Sequence, residues 1–141
     1  MSGSTGTTIP KHPADVRTIT VHRADLSYET AAESTGDPNL WVAPEVDRMC
    51  YDDDEDGTQV FSFEFTGYWV VVHGPSGRLV NVSLLDPLQR VGSARLLASR
   101  LVGVADWSLP AEQIRQDREA SDRVRAIVRE VAAAEAARAA R

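Results

Sequence analysis

The densest run of possible ligand atoms in the chain is YDDDEDG, residues 51–57. A calcium loop of the EF-hand type takes oxygens from positions 1, 3 and 5, needs a turn glycine at 6, and closes with a bidentate glutamate at 12. Counted from Asp52, the pattern places Asp54, Asp56 and Gly57 correctly, but position 12 is Phe63 and Glu64 comes one place late. Neighbours in a strand point to opposite faces, so a slip of one residue does not restore the missing ligand. Asp52, Asp54 and Asp56 are thus the metal candidates of the sequence. They stand against a plainer reading, a hydrated loop whose like charges hold it open and guard a strand edge.

The remaining reactive residues make weaker patterns. Cys50 is the single cysteine, so there is no intrachain disulfide and no Cys/His cluster with zinc spacing. Its acidic neighbours make it a poor nucleophile, and a small, half-buried apolar role suits it better. In "GPSGR", residues 74–78, Ser76 lies beside His73, and Asp86 follows at the far end of the next segment. A nucleophile elbow would need glycine where Arg78 stands, and a strand-to-helix turn rather than a hairpin. His12, His22 and His73 are scattered, and there is no Walker loop, no G-x-G-x-x-G and no H-E-x-x-H. No cofactor and no catalytic residue is assigned. Convergence of His22, Glu64 and His73 from separate segments is the one enzymatic arrangement the sequence leaves open.

Charge narrows the partners. The net charge is −6, from eight basic residues against fifteen acids over 1–111 and seven arginines against six acids over 112–141. An acidic body disfavours nucleic acid, whose phosphates demand Lys and Arg. The C-terminal arginines alternate with Glu112, Asp117, Glu119, Asp122, Glu130 and Glu135, as on a solvated helix with i,i+4 pairs. Arginine outnumbers lysine fourteen to one, a bias that points to a GC-rich bacterial genome. The first residues lack the apolar core of a secretory leader and the longest apolar run, "YWVVV", is far short of a membrane span, so a cytoplasmic protein is expected.

These residues must be positioned by a core, and 141 residues at 43% hydrophobic content suffice to build one. Residues 1–14 read as a flexible arm of Ser, Thr, Gly and Pro. "VRTITVH", 16–22, alternates as a strand with Arg17, Ile19 and Val21 on one face. Residues 24–50 carry Gly36, Pro38 and Pro44 and predict no firm element. "TQVFSFEFT" alternates with Phe61, Phe63 and Phe65 on one side, Gly67 permits a reversal, and "YWVVVH" reads as a buried strand. "GPSG" turns into a further strand, "RLVNVSLL". Asp86 and Pro87 open a helix to about 103 with an apolar stripe through Leu88, Val91, Ala94, Leu97, Ala98, Leu101 and Val102. Ser108 caps a long helix from Ala111 onward.

The fold expected is α+β: a three- to four-stranded antiparallel meander, covered on its phenylalanine face by the helix at 87–103. The domain spans 15–107, and the C-terminal helix, 108–141, partly projects. That helix has a thin seam, Ala120, Val124, Ile127, Val131 and Ala134, too little to bury for its length. The function expected is a non-enzymatic protein-interaction or accessory module, using this seam to form a homodimer or dock on a protein partner. The alternative is a small-ligand or divalent-cation binder using the acidic loop 52–56, and a further one is a DNA-associated regulator.

Overall fold

The computed structural model describes residues 15–24, 26–52, 55 and 57–140, so the arm at 1–14 lies outside the described residues. Five strands follow one another: β1 Val16–Arg23, β2 Leu26–Ser34, β3 Leu40–Asp52, β4 Gln59–His73 and β5 Arg78–Leu79. They form one antiparallel sheet in the order β1-β2-β3-β4-β5. Three helices follow: α1 Val91–Leu101, α2 Ala111–Gln116 and α3 Arg118–Ala139. The α+β class is as expected, but the sheet has more strands and curls almost into a barrel. The curl brings β1 to the turn before β5, where the His22 N–H donates to the Gly77 carbonyl at 2.8 Å. Gly77 is required at this seam. Its φ is +70°, and a Cβ there would lie 2.6 Å from His22 Cδ2 and 2.7 Å from the Thr20 carbonyl oxygen.

The curl encloses one core and the helices cover another. Val21, Tyr28, Ala32, Ala43, Val70 and Val72 fill the inside, with Ile19 packed against them. Leu40, Val42 and Val71 face outward and meet Leu88, Leu97, Leu101, Trp107 and Val131. The strand "WVVV" is therefore covered on both sides, which is why it reads as a continuous apolar run.

Three expectations about this region are corrected. The chain does not reverse at Gly67: β4 runs through it, and residues 66–68 bulge opposite Glu45 alone. Gly67, at φ +93°, supplies the backbone freedom of that bulge. The region 24–50 holds two full strands, their breaks at Gly36–Pro38 and the irregularity after Pro44. And "RLVNVSLL" pairs as strand only at Arg78 and Leu79. Beyond them the Asn81 side chain takes over the ladder. Its Oδ1 accepts the Val71 N–H at 2.7 Å and its Nδ2 donates to the Trp69 carbonyl at 3.3 Å.

The helices differ from expectation too. α1 starts at Val91, not at Pro87, and its N-cap residue Arg90 offers no side-chain cap. The helix expected from Ala111 is broken at Asp117, which is extended (φ −79°, ψ 96°). Asp117 caps α3, accepting the Ala120 N–H at 3.1 Å, while Ser108 bonds Asp106 instead of capping α2. α3 packs on α1 and buries Ala120, Val128, Val131, Ala132 and Glu135. Among the described residues, no helix is long and apolar enough to cross a membrane.

Candidate functional site

The largest departure from a closed core is the outer half of the β3–β4 hairpin. Among the described residues, β2 pairs with the β3 backbone only at Trp41 and Val42, and β5 with the β4 backbone only at Val72 and His73. From Val46 to Asp52 and from Gln59 to Phe65 the two strands pair with each other alone, from Val46↔Phe65 to Asp52↔Gln59. The register puts Val46, Arg48 and Cys50 directly across from Phe65, Phe63 and Phe61, so all six share one face.

That face is open. Phe61, Phe63 and Phe65 are 52%, 58% and 52% exposed. The expectation that the following helix seals them is therefore wrong, and lengths explain why. β4 has 15 residues, about 50 Å of strand, whereas α1 has 11 residues, about 16 Å of helix. α1 covers the base of the sheet and cannot reach the ribbon. Phe65 lies edge-on to Trp69, which packs against the core, with centroids 5.5 Å apart. The Arg48 guanidinium lies 4.9 Å from the Phe61 centroid, a cation–π contact that leaves most of the ring in water.

The reverse face is polar at its centre. Glu64 accepts hydrogen bonds from the Tyr51 hydroxyl at 2.5 Å and the Ser62 hydroxyl at 2.6 Å. Those from Ser62 and then Tyr51 hold the Glu64 carboxyl below its ordinary range, and the bond to Glu64 raises the Tyr51 phenol. Met49 and Val60 are exposed here as well. At the root, the buried Glu45 takes hydrogen bonds from Thr66 at 2.9 Å and Ser83 at 2.7 Å, both on Oε1. Its Oε2 accepts none among the described residues and lies 3.9 Å from Arg23 Nη1. Arg23 also donates to the Val46 carbonyl at 3.2 Å and lies 3.8 Å from Asp47. The Tyr28 hydroxyl takes the Val46 N–H at 3.3 Å, and burial raises its phenol above the ordinary value. The ribbon is anchored at its base and unsupported beyond it.

The residues singled out in the sequence fall in several places. Asp52 is exposed at the end of β3, and Asp54 and Asp56 lie outside the described residues. Among the described residues, no group of three His, Cys, Asp or Glu is placed to hold a metal. Cys50 is exposed on the phenylalanine face, not half-buried. Of the helical seam, Ala120 and Val131 are buried in the chain's own core, Val124 and Ile127 pack against it, and Ala134 is exposed.

Ser76 and His73 do meet, at 2.7 Å from Oγ to Nδ1. His73 Nε2 lies 2.7 Å from the Trp107 carbonyl oxygen, which can only accept, so Nε2 donates there, and Nδ1 shares the remaining hydrogen bond with the Ser76 hydroxyl. Ser76 Oγ also accepts the Arg78 N–H at 3.1 Å. This is the bonding of a serine turn locked onto a buried histidine, with no hydrogen bond from His73 to Asp86. His22 bonds Ser27 at 2.8 Å and Glu64 is engaged on the ribbon, so His22, Glu64 and His73 share no site.

Sequence reasoning found the phenylalanine alternation but assigned it to the core. The signal against that assignment was present: Met49, Tyr51 and Val60 also fall at alternating positions, so both faces of the ribbon carry large apolar residues. Compared with protein-family models, with curated proteins and with solved structures, the chain matches none.

Proposed function

We propose that the chain is a protein-binding module that docks a partner through Phe61, Phe63 and Phe65. One observation carries this reading: three aligned phenylalanines, each about half exposed, on a two-stranded ribbon that the rest of the fold does not cover. A lone two-stranded hairpin is marginal in water, and contiguous exposed apolar surface marks interaction sites. Covering each ring further contributes part of the roughly 1.5–3 kcal/mol that full burial of a large apolar side chain provides.

Charge selects the occupant. The connection at the ribbon tip carries Asp52 to Asp56 in unbroken acidic sequence, and Asp47 and Glu64 lie on the reverse face. A partner with an apolar patch rimmed by Lys or Arg complements this arrangement. Nucleic acid is repelled by it, and a second copy brings a second acidic tip. The helical seam first expected to form the interface is engaged in the chain's own core at four of five positions, which moves the proposed interface to the ribbon.

Cys50 supplies the test, since it is the sole cysteine and lies on the phenylalanine face. A photocrosslinker attached there is activated in lysate of the native host. The expected result is an adduct with a basic protein, lost in Phe63→Ser and weakened by high salt. No adduct, or one indifferent to Phe63→Ser, overturns the reading. An adduct between two copies of the chain replaces the proposed partner by a homodimer.

A further inference from the structure

On the other side of the molecule, the segment following β5 faces α2 and α3 across a cavity of about 300 Å³. Trp107 and Val128 form apolar wall, and Leu85 stands at the rim, 77% exposed. An apolar side chain held this far into water beside an open cavity is surface that a ligand could cover. Arg78, Arg115 and Arg125 line the same cavity. None of the three is ion-paired to a carboxylate among the described residues, whereas Arg23, Arg95 and Arg100 elsewhere are. Asp86 is the one acid in the lining, and His73 is held there by Ser76 and Trp107. Three guanidinium groups against one carboxylate make a cationic pocket in a chain whose net charge is −6.

The geometry points to a second site, one that binds a small amphipathic carboxylate: an apolar body against Trp107, Val128 and Leu85, with the carboxylate held by Arg115, Arg125 and Arg78. The volume suits a compact molecule, at the lower end of ordinary ligand cavities. Guanidinium forks match a carboxylate in geometry as well as charge. The apolar wall supplies affinity that a bare anion lacks. This site is independent of the ribbon, because no residue is shared between them.

Calorimetric titration with 2-naphthoate tests it, with neutral 2-naphthamide as the matched control. The expected result is saturable naphthoate binding, weakened roughly tenfold or more both by removing the ligand charge and in the doubly reversed variant Arg115→Glu/Arg125→Glu. Both arginines are exposed, so the reversal is compatible with folding, and circular dichroism checks it. Leu85→Ser, also at an exposed position, weakens binding without disturbing the fold. The triple variant Phe61→Ser/Phe63→Ser/Phe65→Ser binds naphthoate as the parent does. Absence of binding at millimolar naphthoate, equal binding of the amide, undiminished binding by the reversed variant, or loss of binding in the ribbon variant each overturns the assignment.

Discussion

Glu135, near the end of α3, accepts the main-chain N–H of Arg90, the N-cap residue of α1, at 3.0 Å. Its other oxygen accepts the Gln89 N–H at 2.8 Å. The carboxylate is 6% exposed. It does from another helix what the glutamate of a capping box does locally, accepting the N–H of the N-cap residue, and its charge meets the positive end of the α1 dipole. The final helix is thereby tied to the start of the helix that covers the sheet.

Glu135→Ala should therefore destabilise the protein by about 2–4 kcal/mol, since two main-chain N–H groups lose their bonds to a buried, charged acceptor. Glu135→Gln keeps one acceptor and should lose less. Urea unfolding gives both values. If the alanine variant lies within about 0.5 kcal/mol of the parent, the surface range for substitutions, the bridge is not contributing to stability.

The phenylalanine ribbon should be dispensable for folding. Phe61→Ser/Phe63→Ser should lower stability by no more than about 1.5–3 kcal/mol for the pair, below the cost of truncating two fully buried rings, because each ring is already half in water. Hydrogen exchange should show amides of 60–64 exchanging well before those of 70–72, which lie between two cores. Equal protection in both halves of β4 would mean that the ribbon is covered after all.

Glu33 on β2 forms a two-pronged ion pair with Arg95 on α1, at 2.6 and 2.9 Å. The hydrogen bond from Arg95 holds the Glu33 carboxyl below its ordinary 4.5. A carboxyl depressed in the folded state stabilises fully above its unfolded pKa and loses that contribution as pH falls through the folded value. Melting temperatures of the parent and Glu33→Gln should thus differ near neutrality and converge in acid below the ordinary carboxylate range. A gap that stays constant down to pH 3 would assign the effect to packing instead.

Gly77→Ala should open the seam between β1 and the turn before β5. The added methyl meets His22 and a backbone oxygen at under 3 Å, in a backbone conformation that disfavours side chains. A loss of about 1–3 kcal/mol is expected, with early exchange of the His22 amide. Unchanged melting would show that the curl does not depend on this contact.

Much of the plan was legible because local chemistry specifies it. The face of Arg17, Ile19 and Val21, the buried run at 69–72 and the apolar stripe of α1 all follow from periodicity, and the structure buries Val21, Val70–Val72, Leu97 and Leu101 accordingly. Strand ends were less legible. Gly67 can reverse a chain or absorb a bulge, and only the pairing of 66–68 against Glu45 decides between them. Asn81 reads as a strand residue until its amide is seen to replace the ladder for Val71 and Trp69. Glu135 reads as solvated because nothing near it in sequence reveals that the first turn of α1 lacks a cap.

What the sequence by itself determined was which residues alternate, which stripe is apolar and where charge accumulates, since these depend on neighbours one to four positions away. What only the tertiary structure decided was which apolar face is covered. An 11-residue helix cannot shield a 15-residue strand along its length. One strand, β4, therefore yields core at Val70–Val72 and open surface at Phe61, Phe63 and Phe65, because burial depends on the reach of distant elements.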